Sequence, residues 1–330
     1  MTEPSTDCPF VELMEREYYL DDTKVLVEFQ PHQRRILNKA FRANEEGKLP
    51  YETVVWSTPK KEGKTAIGGA IAYGWCRHYG GNAFSLANDK DQAGERMFDR
   101  VVKNLQIMRE KNEPLFLQIV DEGYHDRITK NNMIEFAEGD QINPSPHWLK
   151  FVPADYAGEA GGRQAFTCFD EMWAYKGDAM SRFWDEFVPL SIMPASLRFI
   201  TTYAGWYGES ELLWSIYDTV VKPDPHDPHI KHGTPVPELE DLPVYQYGAA
   251  YQPGSYLVYW DHENRMPWKT LAYIEGRRDD PAVKGRESEW RRMWKNEWTT
   301  GQEAFLPAEL IDELMDMAES KGLVNHMKHW

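Results

Sequence analysis

Glu52-Thr53-Val54-Val55-Trp56-Ser57-Thr58-Pro59-Lys60-Lys61-Glu62-Gly63-Lys64-Thr65 is the stretch on which the fold of this 330-residue chain turns. Its first six residues are apolar, β-branched and few, as a buried strand requires. Pro59 and Gly63 then impose a turn. From Thr65 to about His78 the chain is apolar and rich in small residues, with Ala66, Ile67, Ala70, Ile71 and Trp75, which predicts a buried helix stopped by Gly80-Gly81-Asn82. Gly63-Lys64-Thr65 therefore sits at a strand–turn–helix junction. There, backbone N–H groups at a helix N-terminus can curl around phosphate, a lysine can reach the β- and γ-phosphates of ATP, and a threonine hydroxyl can bind Mg²⁺. The usual spacing of such a loop, G-x4-G-K-[ST], places glycine where this chain has Thr58. The loop Thr58-Pro59-Lys60-Lys61-Glu62 is also unusually basic, and Lys60 or Lys61 could act in cis on the phosphates.

Working outward, strands are predicted over 83–87, 133–137, 148–152, 165–169 and 197–202, with a polar helix from 89 to about 109. Strands alternating with helices predict an α/β fold, a mainly parallel sheet flanked by helices; with the phosphate-loop candidate after its first strand it resembles the RecA-like P-loop NTPase type. Phe166-Thr167-Cys168-Phe169-Asp170-Glu171 is an apolar strand ending in two carboxylates, a Walker B arrangement. Asp170 would hold the water shell of Mg²⁺, and Glu171 would orient and polarise the attacking water. Thr201-Thr202, at the end of another apolar strand, reads either as a sensor beside the γ-phosphate or as an ordinary β-forming pair. Gln33, in Phe29-Gln30-Pro31-His32-Gln33, has an amide that can both donate to and accept from an adenine edge, or simply begins a surface helix. Arg163, in Gly161-Gly162-Arg163-Gln164, is either an arginine finger for a neighbouring subunit or a surface loop arginine, and Arg127 competes for the same role.

Composition sets the bounds. The net charge is −16, with 42% hydrophobic and 27% charged residues, values of a folded protein. No apolar run approaches the ~20 residues of a membrane span. The N-terminus, Met1-Thr2-Glu3-Pro4-Ser5-Thr6-Asp7, is acidic and polar, unlike a signal peptide. Cys8, Cys76 and Cys168 form neither a disulfide framework nor a zinc pattern, in keeping with a reducing cytoplasm. The acidic balance excludes binding of nucleic acid by bulk charge alone. The most cationic patch, Arg277-Arg278, Lys284, Arg286, Arg291-Arg292 and Lys295, either faces phosphates or is a helix laced with Glu287, Glu289 and Glu297. Residues 1–221 read as the P-loop core with an N-terminal helical segment, and 222–330 as an insertion and a small helical lid. Within the latter, 222–255 holds seven prolines and reads as a linker or irregular insertion. Beyond Pro267 the chain is helical, its Trp268, Trp290, Trp294 and Trp298 read as core, and a last helix is predicted over about 307–321. Asp261 and Glu263 lack partner acids and read as ordinary polar residues rather than a nuclease centre.

Taken in order, these pieces resemble the ATPase domain of the large terminase subunit, the DNA-packaging motor of tailed bacteriophages. Phe29 to Gln33 is similar to the family's adenine-contacting motif, with Gln33 the matching glutamine. Thr58-Pro59-Lys60-Lys61-Glu62-Gly63-Lys64-Thr65 is similar to its deviant Walker A, which often lacks the first glycine and carries basic residues. Ser85-Leu86-Ala87-Asn88-Asp89-Lys90-Asp91-Gln92-Ala93 is similar to the segment after the second strand. Asp170-Glu171 matches Walker B plus catalytic glutamate, and Thr201-Thr202-Tyr203-Ala204-Gly205 is similar to the coupling motif. Asn296-Glu297-Trp298 through Phe305-Leu306-Pro307 looks like the stretch that precedes the nuclease in longer relatives. The resemblance implies Mg²⁺-dependent ATP hydrolysis that drives double-stranded DNA into a procapsid in the host cell cytoplasm. The implied partners are a portal protein, a small terminase subunit and further copies of the chain in a pentameric ring. The chain ends where an RNase H-like domain would begin, so no nuclease activity is expected of it, the nuclease being removed or a separate polypeptide. Two other readings stay open: a helicase-like ATPase acting on single strands, and a nucleotide-gated assembly module without turnover.

Overall fold

The computed structural model describes residues 7–87, 97–120, 132–153, 164–190, 192–222, 232–281, 284–301 and 317. Helix α1 (Pro9–Glu17) and α2 (Pro31–Phe41) both start on proline, whose fixed φ and missing N–H suit a first helical position. At α2 the Gln30 and Gln33 side chains also close a reciprocal capping box. β1 (Thr53–Ser57) is buried at every residue, and α3 (Lys64–His78) follows the loop. α3 is buried nearly all round, and its glycines permit close neighbours. A Cβ on Gly74 would stand 2.8 Å from Met14, and one on Gly68 would stand 2.6 Å from Met97. Next come β2 (Asn82–Ala87), α4 (Met97–Lys111), α5 (Glu113–Ile119), β3 (Met133–Glu135), β4 (Trp148–Pro153) and β5 (Gln164–Asp170). A short 3₁₀ turn (Met172–Ala174) leads to α6 (Gly177–Glu186), β6 (Leu197–Thr202), β7 (Trp206–Tyr207) and α7 (Glu211–Val220). The rest is β8 (Thr234–Pro235), β9 (Val244–Tyr247), β10 (Tyr256–Trp260), α8 (Leu271–Arg278), α9 (Glu287–Lys295) and β11 (Thr299–Thr300).

The main sheet has nine strands in the order β3-β4-β2-β5-β6-β1-β10-β9-β8. The strands from β4 to β10 run parallel, and antiparallel pairs close both ends. Side chains alternate between two cores, as the strand period dictates. Val54, Trp56, Phe166, Phe199 and Leu257 face the core shared with α1 to α4. Val55, Phe169, Ile200, Val258 and Trp260 face a second core with Trp184, Leu213 and Trp298. β6 lies between β1 and β5, so the ends of the two motif strands flank it. Register sets Ser57 beside Thr202 and Asp170 beside Thr201 at one carboxyl edge.

The predicted strands and the α3 helix fall where expected, within two residues at each end. The strand predicted over 133–137 stops at Glu135, because Phe136 pairs singly with Val120. Of the helix predicted from 89, the described part is α4; residues 88–96 lie outside the described set, as do 302–316 and 318–330, most of the predicted final helix. The reading of 222–255 needs correction. Its described part supplies β8 and β9 to the main sheet, and β10 pairs parallel with β1 directly after it. Proline is tolerated there because Pro235 sits in the edge strand and Pro243 immediately precedes β9. The sheet thus continues beyond residue 221. Trp290 and Trp294 pack with Ile274 in a separate small cluster between α8 and α9, while Trp298 joins the second core, so these three are core as expected. Trp268 is not: it is 57% exposed. The three cysteines are free and buried. Among the described residues no helix is long and apolar enough to cross a membrane.

Candidate active site at the carboxyl edge of the sheet

The loop leaves β1 alongside β6, with Thr58 N donating to Thr202 O at 3.3 Å. Lys61 and Gly63 both take left-handed backbone, at φ 69° and 80°. A Cβ on Gly63 would meet nothing within 4 Å, so backbone conformation, not crowding, calls for glycine there, and the space beside it is open. Lys64 opens α3 and is only 7% exposed. Its Nζ donates to the carbonyls of Thr58 at 2.8 Å and Pro59 at 2.9 Å and lies 5.1 Å from the centre of the Tyr203 ring. Burial pushes its ammonium down to about 8, with the Glu171 carboxylate pulling the other way. Thr65 follows, half-buried, in the first turn of α3.

β5 delivers Asp170, buried, whose Oδ1 accepts from Thr201 Oγ1 at 2.7 Å. Glu171 stands at φ 54°, a conformation non-glycine residues seldom hold unless the surroundings impose it. Its Oε2 accepts from Trp173 Nε1 at 2.5 Å. Thr202 Oγ1 accepts from Trp173 N at 3.2 Å and donates to Tyr203 O at 2.9 Å. Thr58, Lys64, Asp170, Glu171, Thr201 and Thr202 therefore converge. This is the end of a parallel sheet where ligands of α/β proteins bind.

Gln33 is buried, with Oε1 accepting from Gln30 N at 3.0 Å and Nε2 facing Met266 Sδ at 3.9 Å. It thus lies against the segment after β10 that also reaches the loop. Glu62 points inward, its Oε1 3.2 Å from Lys269 Nζ, with the two side chains 1% and 0% exposed. This is an ion pair without the alignment of a hydrogen bond. Trp268 Nε1 donates to Lys61 O at 3.0 Å. Lys60 N donates to Met293 O at 2.6 Å, and Lys60 Nζ lies 3.5 Å from Met293 Sδ. Asn296, buried, joins three strand ends: Nδ2 donates to Ser57 Oγ at 3.0 Å and Asp261 O at 2.9 Å, and Oδ1 accepts from Ala204 N at 2.6 Å. Lys269 and Met293 carry no local sequence signal, because each meets the loop across more than two hundred residues of chain, and nothing local tells that Asn296 reaches Ser57 across 239.

Arg163 and Arg127 lie outside the described residues. Asp261 is buried and accepts from Tyr259 and Arg265, while Glu263 pairs with Arg265 at the surface. In the basic patch, Arg278 pairs with Glu287, Arg291 with Glu297 and Arg292 with Glu289, at 3.1, 2.7 and 3.0 Å, which is the acid-laced helix of the two readings. Among the described residues no group of three or more His, Cys, Asp or Glu is placed to hold a metal. Mg²⁺ does not need one, since one carboxylate together with substrate phosphates and waters suffices. Asp170 and Thr65 fit that modest set. A cavity of about 570 Å³, lined in part by Arg35, Lys39, Glu238 and Tyr251, lies apart from these residues. The chemistry-bearing groups place the site at the sheet edge instead.

No family model matches the sequence, and no curated protein matches it. Among solved structures, the HK97 bacteriophage large terminase overlaps with a TM-score of 0.56 at 14% identity, over 88% of this chain and 54% of that one. The large terminase ATPase domain of Thermus phage P74-26 overlaps with a TM-score of 0.47 at 12% identity, over 82% of this chain and 94% of that one. The first likeness shows a shared fold: over most of its length this chain is folded like the HK97 large terminase. It spans about half the length of the HK97 protein.

Proposed function

We propose that this chain is an ATP-hydrolysing motor that moves double-stranded viral DNA into a procapsid. One observation carries the reading: Lys64 at the start of α3 is buried within electrostatic reach of the Glu171 and Asp170 carboxylates, and Asp170 is bonded to Thr201 at the same sheet edge. The terminase-type fold supports it. The loop 58–65 binds the triphosphate, and Lys64 exchanges two backbone carbonyls for phosphate oxygens. Gln33 contacts adenine. Thr65 and Asp170 are the groups that would hold Mg²⁺, which supplies neutralisation of β- and γ-phosphate charge when bound. Glu171 takes a proton from water as that water attacks the γ-phosphorus. The bond to the β-phosphate oxygen breaks, and ADP and phosphate leave. Thr201, bonded to Asp170, and Thr202, bonded to the Trp173 backbone, link the site to β6 and serve as the coupling pair. Arg163 completes the site of a neighbouring copy in a homo-oligomeric ring. The partners are double-stranded DNA, a portal protein and a small terminase subunit, in the host cytoplasm.

The test is ATP turnover against protein concentration, with and without double-stranded DNA, beside Glu171→Gln. The expected result is specific activity that rises with concentration and vanishes in the variant while ATP still binds. Equal turnover by Glu171→Gln overturns the assignment. Stronger stimulation by single-stranded DNA would favour a helicase-like ATPase. ATP binding with no turnover in any assembly would favour a nucleotide-gated module.

A further inference from the structure

Arg292 is 2% exposed, deep between the lid helix α9 and the sheet edge. Its guanidinium carbon lies 4.2 Å from the centre of the Trp173 ring, 4.4 Å from Trp206 and 5.0 Å from Tyr203. Nη2 pairs with Glu289 at 3.0 Å, and Nη1 is 3.4 Å from Ala204 O. A guanidinium is costly to bury, and an ion pair with a residue three positions away could as well form at the surface. What burial adds is the aromatic cage, and two walls of that cage touch the candidate site. Trp173 donates through Nε1 to Glu171 Oε2 at 2.5 Å and through its backbone N to Thr202 Oγ1 at 3.2 Å. Tyr203 lies beneath Lys64 Nζ at 5.1 Å, and its ring is 5.5 Å from that of Trp173, inclined by 33°. The neighbouring residue on α9, Met293, accepts from Lys60 N of the phosphate loop. One turn of α9 therefore touches both halves of the site.

We infer that Arg292 is a positioning residue. Stacked on the Trp173 indole, it fixes the direction in which that indole holds the Glu171 carboxylate, so the lid helix governs the aim of the water-orienting group. Planar stacking suits arginine and not lysine. The inference rests on the reading of Glu171 as the residue that orients the attacking water.

The experiment is steady-state ATP hydrolysis, with binding of a fluorescent ATP analogue, on the full chain carrying Trp173→Phe, Arg292→Met, Arg292→Lys and the double Trp173→Phe/Arg292→Met. Trp173→Phe keeps one aromatic ring for the guanidinium and removes the Nε1–H donor with the other half of the indole. It and Arg292→Met should each lower kcat by roughly 10- to 100-fold, the loss expected of a misplaced catalytic group, with KM and analogue affinity within about threefold of wild type. Arg292→Lys should fall between. The double variant should be no slower than the slower single, since both act through one bond. Unchanged kcat in Trp173→Phe, a KM rise at constant kcat, or multiplying losses in the double would overturn the inference. Should Arg292→Met fail to fold, Trp173→Phe decides alone, because it leaves Arg292 in place. No turnover by wild type, or full turnover by Glu171→Gln, defeats the functional reading and this inference together. Glu171-dependent turnover that Trp173→Phe leaves untouched defeats this inference only.

Discussion

Replacing Lys269 by methionine will strand the Glu62 carboxylate, 1% exposed, without the ammonium that faces it at 3.2 Å. Removing one partner of a buried ion pair costs about 3–5 kcal/mol, because the remaining charge cannot be rehydrated. That is a fifth or more of the ~5–15 kcal/mol by which domains are stable. Replacing both partners by well-packed hydrophobic residues of similar volume is often neutral. Lys269→Met and Glu62→Gln should therefore each cost about 3–5 kcal/mol at pH 7, and the double variant Glu62→Leu/Lys269→Met should lie within ~1 kcal/mol of wild type. The pH dependence distinguishes this from a packing defect. Burial pushes the Glu62 carboxyl up, and Lys269 is the strongest group holding it down. Without Lys269 it rises further. A carboxyl whose folded pKa exceeds its unfolded one binds its proton first in the folded state. Its stabilising effect is present at low pH and is lost as pH rises through the folded pKa. The Lys269→Met deficit should shrink on acidification. Burial pushes the Lys269 ammonium down, and Glu62 holds it up. In Glu62→Gln the folded state sheds that proton first, so stability recovers as pH rises towards the unfolded value near 10.5. Urea midpoints from tryptophan fluorescence at pH 5.5, 7 and 9 would read both slopes. Slopes of the same sign, or single losses below ~1 kcal/mol, would refute a buried pair beneath the phosphate loop.

Two further outcomes follow from single side chains. Lys64 is held down to about 8 by burial, and a phosphate beside it would restore its proton. Nucleotide binding should therefore take up protons near pH 8, with affinity falling above that, and Lys64→Arg should abolish the uptake; calorimetry in buffers of different ionisation enthalpy measures it, and uptake unchanged in Lys64→Arg would refute it. Asn296→Ala leaves the buried Ala204 N–H and Asp261 carbonyl without that side chain and keeps a Cβ on a residue at φ 54°. It should cost about 3–5 kcal/mol in urea denaturation, at ~1–3 kcal/mol per stranded group. Asn296→Gly should cost about 1 kcal/mol less, glycine being free of the left-handed penalty; an Ala variant no worse than Gly would contradict this.

Residues 52–78 were legible because everything that shapes them is local: an apolar β-branched run, Pro59 and Gly63 at the turn, and small residues in the helix behind. The same holds for β5 ending at Asp170 and β6 ending at Thr202. The misread stretch, 222–255, was misread for a local reason too. Its prolines signal irregular chain, yet edge strands admit proline, and only the pairing of β9 with β10 and of β8 with β9 shows that β8 is such a strand.

Local sequence settled β1 to β6 and the two motifs, since hydrophobic period and turn chemistry act within a few residues. Tertiary structure decided which strands are neighbours. It placed β6 between β1 and β5, so that Thr201 reaches Asp170. It also brought α9 back over the loop. Trp268 meets Lys61 across 207 residues, and Asn296 meets Ser57 across 239. Residue periodicity records whether a side chain is to be buried, but not against what. That choice is made only when the whole sheet closes its two cores.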